Sequence, residues 1–309
     1  MTADAGFRLS CLALLLLLST FFLPEIPVRR TTYSVVAVLD ITGSMNTRDV
    51  SVAGATISRI DMEKRALLNL LSALPCGSKL GVAIFVEERP FLLVAPVETC
   101  ENFAPLSQLI QGIDWRMGWD SESHIAAGLR AAMAMAKGQD ADLLFMTDGQ
   151  EMPPLSWSTP PDFAPVRGSV GGAIIGIGGN ALVSIPKYDK TGKLVGVWKP
   201  GEVPSETGGM FKGHEYLTAE DDPHLRSLAA QSTLAYLHLR QQADLQTGAM
   251  QHFSPRMVTG TRDMRFVPAV LALALLALAS IEGKGWGKWP FPQPGFRRSG
   301  EQVHAGDGE

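Results

Sequence analysis

The apolar run Tyr33-Ser34-Val35-Val36-Ala37-Val38-Leu39 passes directly into Asp40-Ile41-Thr42-Gly43-Ser44. A segment this rich in valine suits the centre of a parallel sheet, where both faces of a strand are covered. In open α/β sheets, ligands bind beyond the carboxyl ends of the strands, near the topological switch point. In a tight loop leading towards a helix, residues 40, 42 and 44 can all direct oxygen towards one point. Hard oxygen donors of this kind suit Mg²⁺, Ca²⁺ or Mn²⁺ rather than Zn²⁺. The same residue types are also ordinary loop and cap residues, so the motif gains weight only from its companions.

Two companions lie downstream. Asp142-Leu143-Leu144-Phe145-Met146 is a second buried-strand pattern, and it ends in Thr147-Asp148-Gly149. Between the two strands, Ser123 stands two residues before an alanine-rich helix expected from Ile125 to Lys137. Three separated segments thus offer oxygen at loops on one edge of a sheet.

The remaining pattern alternates strands and helices. A helix is expected over residues 59–74, with an apolar stripe of Leu67, Leu68, Leu70, Leu71 and Leu74. Strands are expected at 79–86, 90–97, 172–177 and 234–239, and further helices at 103–113 and 223–232. The expected fold class is α/β, a doubly wound and mostly parallel sheet over residues 31–241, followed by a linker at 242–265. Two segments are surplus: the proline-rich stretch 153–165, and 185–198, which has the look of a small hairpin.

The chain here resembles the von Willebrand factor A family, whose metal-ion-dependent adhesion site combines D-x-S-x-S, a threonine before a helix and a T-D-G aspartate. The resemblance assigns Asp40, Thr42 and Ser44 to the first element, Ser123 to the second and Asp148 to the third. Threonine at 42 and serine at 123 both keep a hydroxyl, so the donor inventory is preserved. The resemblance implies a bound divalent cation, Mg²⁺ first and Ca²⁺ or Mn²⁺ as alternatives, with a coordination position left for an Asp or Glu of a protein partner. A binding role rather than an enzyme is implied, because no base stands ready beside a nucleophile.

The ends of the chain bear on location. Residues 11–23 are apolar and follow Arg8, which reads as a signal-peptide core or an anchor; Pro24 to Arg30 offers no small-residue cleavage pattern and favours an uncleaved anchor over residues 1–28. A second apolar run, 266–281, has no polar face. Both fall short of the roughly 20 residues that a straight span prefers, and the second run reads alternatively as an alanine-leucine core helix. The expectation is two short transmembrane helices, the second at 266–282, flanking the α/β domain, with a tail at 283–309.

Arginine and lysine counts on the two sides of these spans nearly tie, so cysteine decides orientation. If strands 79–86 and 90–97 form an antiparallel hairpin turning at 87–89, Cys76 and Cys100 face each other across its open end, within reach of a disulfide. The alternative is two unpaired small residues. Disulfides persist in the periplasm and rarely in the cytosol, which places the domain on the periplasmic side of a bacterial inner membrane.

A net charge of -4 gives no reason to expect nucleic-acid binding, and the six histidines are scattered without zinc-ligand spacing. More closely, the stretches 74–82, 114–119 and 143–154 look like those of the MxaL-type accessory proteins of bacterial methanol oxidation. That similarity implies a role in maturing a periplasmic quinone-dependent methanol dehydrogenase, with Ca²⁺ insertion as the step served. An aerotolerance-type membrane protein of the Bat kind, acting with a MoxR-like AAA ATPase, is the alternative.

Overall fold

The computed structural model describes residues 2–23, 26–118, 122–154, 161–189, 191–204, 209–211 and 213–282. It divides into two units, Met1–Val28 with Thr261–Glu309, and Arg29–Gly260. In chain order, α1 (Thr2–Ser19) and β1 (Ile26–Thr32) precede β2 (Ser34–Asp40), which is buried along its whole length. A 3-10 turn at Gly43–Asn46 leads to a hairpin of β3 (Arg48–Val52) and β4 (Ala55–Ser58), then to α2 (Arg59–Ala73). Ser58 caps α2 by accepting the Asp61 amide at 3.2 Å, which satisfies one of the amides that a helix start leaves unpaired.

Next come β5 (Lys79–Val86), β6 (Arg89–Glu98), α3 (Phe103–Gly112), α4 (Ile125–Gly138), β7 (Asp142–Thr147) and β8 (Gly172–Gly176). Four short strands follow, β9 (Val183–Ser184), β10 (Pro186–Tyr188), β11 (Leu194–Val197) and β12 (Leu217–Thr218). The chain continues with α5 (Asp222–Ser232), β13 (Ala235–His238), α6 (Asp244–Thr247), β14 (Arg256–Arg262) and α7 (Phe266–Glu282).

The central six-stranded sheet runs β13-β8-β7-β2-β5-β6. Its neighbours are parallel except for the β5–β6 hairpin at one edge. Because β2 lies between β5 and β7, the strand order reverses there, and Asp40, its last residue, stands at the switch point. Side chains of β2 alternate between two cores: Val35, Ala37 and Leu39 pack with Leu67, Leu71 and Ile110, while Val36 and Val38 pack with Leu129, Met133 and Leu225. Each such fully buried aliphatic side chain stabilises the fold by about 1.5 to 3 kcal/mol. Helices therefore cover both faces, as a doubly wound sheet requires.

One close approach fixes the height of α4. A Cβ placed on Gly128 would lie 2.0 Å from Phe85 Cε2, so only glycine lets this helix settle onto the sheet. Phe85 in turn meets Phe145 edge-on, with ring centroids 5.7 Å apart.

The Cys76–Cys100 disulfide is present, with Cα atoms 5.3 Å apart. Three features differ from the sequence expectation. The β3–β4 hairpin occupies a stretch that carried no strand assignment. The hairpin foreseen at 185–198 is β10–β11, and it belongs to a larger insertion between β8 and α5 that also holds the β9–β12 pair; its turn residue Lys190, and residues 155–160 of the proline-rich stretch, lie outside the described residues. Finally, residues 242–260, read as linker, are part of the Arg29–Gly260 unit. Leu245, Ala249 and Phe253 join its core, and Ser254 donates from its amide (2.6 Å) and hydroxyl (2.9 Å) to the Asp142 carboxylate.

In the first unit, α1 and α7 pack antiparallel. Gly6 approaches the Ala279 carbonyl, and Ala13 and Ala272 are fully buried, so the helices meet through small residues. Leucines such as Leu14, Leu15 and Leu273 are exposed. Both apolar runs are thus helical, but among the described residues no helix is long and apolar enough to cross a membrane. Asp4, Arg8 and Ser10 interrupt the first half of α1, and the 17 residues of α7 reach about 25 Å against a hydrocarbon core of about 30 Å. The tail 283–309 lies outside the described residues.

Candidate metal centre

The end of β2, the end of β7 and the loop before α4 converge at one edge of the sheet. Asp40 is fully buried; its Oδ1 accepts the Thr42 amide at 2.9 Å and its Oδ2 accepts the Thr147 hydroxyl at 2.6 Å. Thr42 and Ser44 place their hydroxyl oxygens 3.4 Å apart. The Ser123 loop is stitched in on both sides: its amide donates to the Met152 carbonyl (2.7 Å), and the His124 amide to the Glu87 carbonyl (2.7 Å). Glu151 holds the start of α4 by accepting the Ile125 and Ala126 amides at 3.0 and 2.8 Å.

Thr42, Ser44 and Ser123 line one cavity of about 420 Å³. Ser123 Oγ is buried and has no hydrogen-bond partner, an expense that a native fold rarely carries without a use for the group. The insertion contributes Ile185, Tyr188, Trp198 and Val203 to the lining of this cavity, and Trp115 lines it as well. Trp115 and Tyr188 stack with centroids 4.8 Å apart, and Lys187 Nζ sits 4.5 Å over the Trp198 ring. Glu215 also lines the wall.

Negative charge is concentrated beneath the cavity. Burial, and then the charge of Asp148, pushes the Asp40 carboxyl up to about 7. Glu63, also fully buried, accepts the Asp40 amide at 3.2 Å through Oε1, while its Oε2 has no partner. Burial and then the neighbouring Asp40 raise Glu63 well above the usual carboxylate range. Asp148 is engaged differently. Its Oδ2 accepts Arg59 Nη1 at 2.6 Å and faces the Thr218 hydroxyl at 3.3 Å, and its Oδ1 accepts the Gln150 amide at 3.1 Å. Arg59 is fully buried and also holds Asp49, Nη2 to Oδ2 at 2.7 Å. Burial works against this guanidinium's charge, but Asp148 and Asp49 outweigh it and raise its pKa.

The donor set fits a hard divalent cation. Three hydroxyl-bearing residues line one cavity, the Ser123 hydroxyl has no partner in the fold, and the Asp40 and Asp148 carboxylates stand at the ends of the two strands behind it. Thr42, Ser44 and Ser123, with Asp40 and Asp148 directly or through water, would hold the ion. Arg59 neutralises part of the charge and keeps one oxygen of Asp148 occupied.

Residues 35–150, which contain all five candidate ligands, match the model of the von Willebrand factor type A domain. That segment is a von Willebrand factor type A domain. Among solved structures, an aerotolerance-related membrane protein from Bacteroides fragilis is 17% identical over 71% of this chain and 98% of its own, with a TM-score of 0.50. A membrane spanning protein from Vibrio fischeri is 15% identical over 70% of this chain and 95% of its own, with a TM-score of 0.29. At 17% identity the likeness to the Bacteroides fragilis protein is one of fold. No curated protein matches the chain.

Around the same centre, Arg59, Glu63, Asp49 and Thr218 are neighbouring residues that the sequence reading missed. A signal for two of them exists. Arg59 and Glu63 are four residues apart and continue the line of Leu67, Leu70 and Leu74, so two charges sit on the apolar face of an amphipathic helix, where each needs a buried partner.

Proposed function

We propose that the domain captures a protein partner through a divalent cation, Mg²⁺ with Ca²⁺ or Mn²⁺ as alternatives, held by Asp40, Thr42, Ser44, Ser123 and Asp148. An Asp or Glu of the partner completes the ion's shell. The observation that carries this reading is the buried, unpartnered hydroxyl of Ser123, a residue that lines the same cavity as Thr42 and Ser44. Because that cavity is concave and lined by aromatic rings, the partner presents a projecting acidic side chain, with apolar neighbours resting on Trp115, Tyr188 and Trp198. The role is binding rather than catalysis.

The exposed leucines of α1 and α7 support attachment to the bacterial inner membrane, and the Cys76–Cys100 disulfide supports a periplasmic setting for the domain. The resemblance of residues 74–82, 114–119 and 143–154 to MxaL-type proteins supports a role in maturing a periplasmic methanol dehydrogenase. The fold shared with an aerotolerance-related membrane protein supports the second reading, a Bat-like protein acting with a MoxR-like AAA ATPase.

Surface plasmon resonance with purified methanol dehydrogenase over the immobilised full-length protein tests the reading. Binding is expected in Mg²⁺, with loss in chelator and in Asp40→Ala. Equal binding with and without metal overturns the cation-bridged mode; metal-dependent binding of the AAA ATPase, with none of the dehydrogenase, selects the second reading.

A further inference from the structure

A second group of ligand-type side chains lies at the carboxyl ends of β8 and β13, on residues separate from the first centre. We propose that Glu220, Asp222 and His238 form a second cation site, for a first-row transition ion such as Zn²⁺ or Mn²⁺. One ligand atom from each of the three lies within 4.8 Å of the others.

The Glu220 side chain is fully buried, and its Oε2 accepts no hydrogen bond. Yet that oxygen lies 2.5 Å from His238 Nδ1. In the chain by itself the two atoms are held as an ion pair; both are ligand atoms, and an ion would take them over by drawing them apart to the separation that two ligands of one metal keep. Asp222 completes the group. Its Oδ2 accepts only Arg226 Nε, at 2.7 Å, which leaves a lone pair available.

The surroundings position these groups. The Tyr236 hydroxyl lies 2.7 Å from both Glu220 Oε1 and Asp222 Oδ1; its single proton is donated to one carboxylate at a time, a supporting contact of the kind found at metal sites. A Cβ on Gly176 would fall 1.9 Å from Glu220 Oε1; a glycine here is what allows the carboxylate into its seat. The mouth opens on a cleft of about 710 Å³ that Arg226 and Arg240 also line, leaving room for water or an anion at further positions. Imidazole with carboxylates favours Zn²⁺ or Mn²⁺ over Mg²⁺ and Ca²⁺, and three protein ligands with an open side make an accessible rather than a closed site.

The test uses chelator-stripped full-length protein with Zn²⁺ in titration calorimetry and Co²⁺ in visible absorption. The wild type is expected to bind Zn²⁺ and to give a Co²⁺ ligand-field spectrum. His238→Ala and Glu220→Gln are expected to lose at least about tenfold in Zn²⁺ affinity and to lose that spectrum, while Asp40→Ala keeps both. Circular dichroism checks folding, and Asp222→Asn serves if His238→Ala does not fold. Absence of Zn²⁺ binding by the wild type, or a Co²⁺ spectrum unchanged in folded variants of these residues, overturns the proposal and leaves Glu220 and His238 as an ion pair. Because Asp40→Ala removes only the first centre, the two sites fail separately.

Discussion

Arg59 Nη1 lies 2.6 Å from Asp148 Oδ2, and both side chains are buried to within 1%. A permanent cation is therefore built into the centre beside an aspartate of the proposed ligand set. Removing one member of a buried pair strands the other, so Arg59→Ala is expected to destabilise the protein by about 3 to 5 kcal/mol in urea unfolding. Added Mg²⁺ should recover more stability in this variant than in the wild type, because the ion replaces the lost charge. An equal response to Mg²⁺ in the two proteins contradicts the placement of the ion next to Asp148.

Ser123→Ala separates coordination from folding. Its hydroxyl makes no hydrogen bond in the fold, so deletion is expected to leave the thermal midpoint unchanged or slightly raised. Mg²⁺ affinity measured by calorimetry is expected to fall about tenfold, the size of effect that loss of a contributing group produces at metal sites. Unchanged affinity removes Ser123 from the ligand set.

The disulfide closes a loop between positions separated by 24 residues. Loop-closure entropy then predicts that Cys76→Ser with Cys100→Ser lowers stability by roughly 3 kcal/mol. Denaturant midpoints of the oxidised protein and the double variant provide the comparison, and non-reducing peptide mass spectrometry of the exported protein should recover the linked pair.

Glu98 gives an acid limb to stability. Its carboxylate accepts the Gly77 and Glu101 amides, each at 2.6 Å, on either side of the disulfide. Slight burial pushes its pKa up, but the amides of Glu101, Gly77 and Cys100 outweigh it and lower the pKa from 4.5. A depressed folded-state pKa means stability that is full above 4.5 and is lost as pH falls through the lower folded value. Glu98→Gln is expected to flatten this limb below pH 4.5 in thermal unfolding; an acid limb identical to that of the wild type refutes the assignment.

Much of this was legible because the relevant segments are strongly patterned. The valine run before Asp40 and the apolar run before Asp148 each dictate a buried strand, and a strand end fixes where its carboxylate stands. Cys76 and Cys100 were readable because both flank a local hairpin. The rest depends on tertiary placement. The β3–β4 hairpin is short, and its Ala53-Gly54 turn uses left-handed backbone at both residues, a cue easily lost in a polar stretch. Thr218 reaches Arg59 across 159 positions of sequence, and His238 meets Glu220 only because β13 lies beside β8. Such meetings follow from sheet order, which a local pattern does not contain. Leu245 and Phe253 were read as linker because each stands in a mostly polar neighbourhood, where the four-residue spacing through Ala249 is too small a signal to mark a helix.

The stretch between β8 and α5 lines the cavity with Ile185, Tyr188, Trp198 and Val203, yet it contributes no strand to the central sheet. The oxygen donors of the proposed site come instead from the ends of β2 and β7 and from the loop before α4. Descendants of such a chain can therefore trade, lengthen or rewrite the insertion while the donor set is inherited unchanged. Partner choice and ion binding are free to evolve at different rates, with the Thr218 anchor point as the position where the two histories must stay compatible.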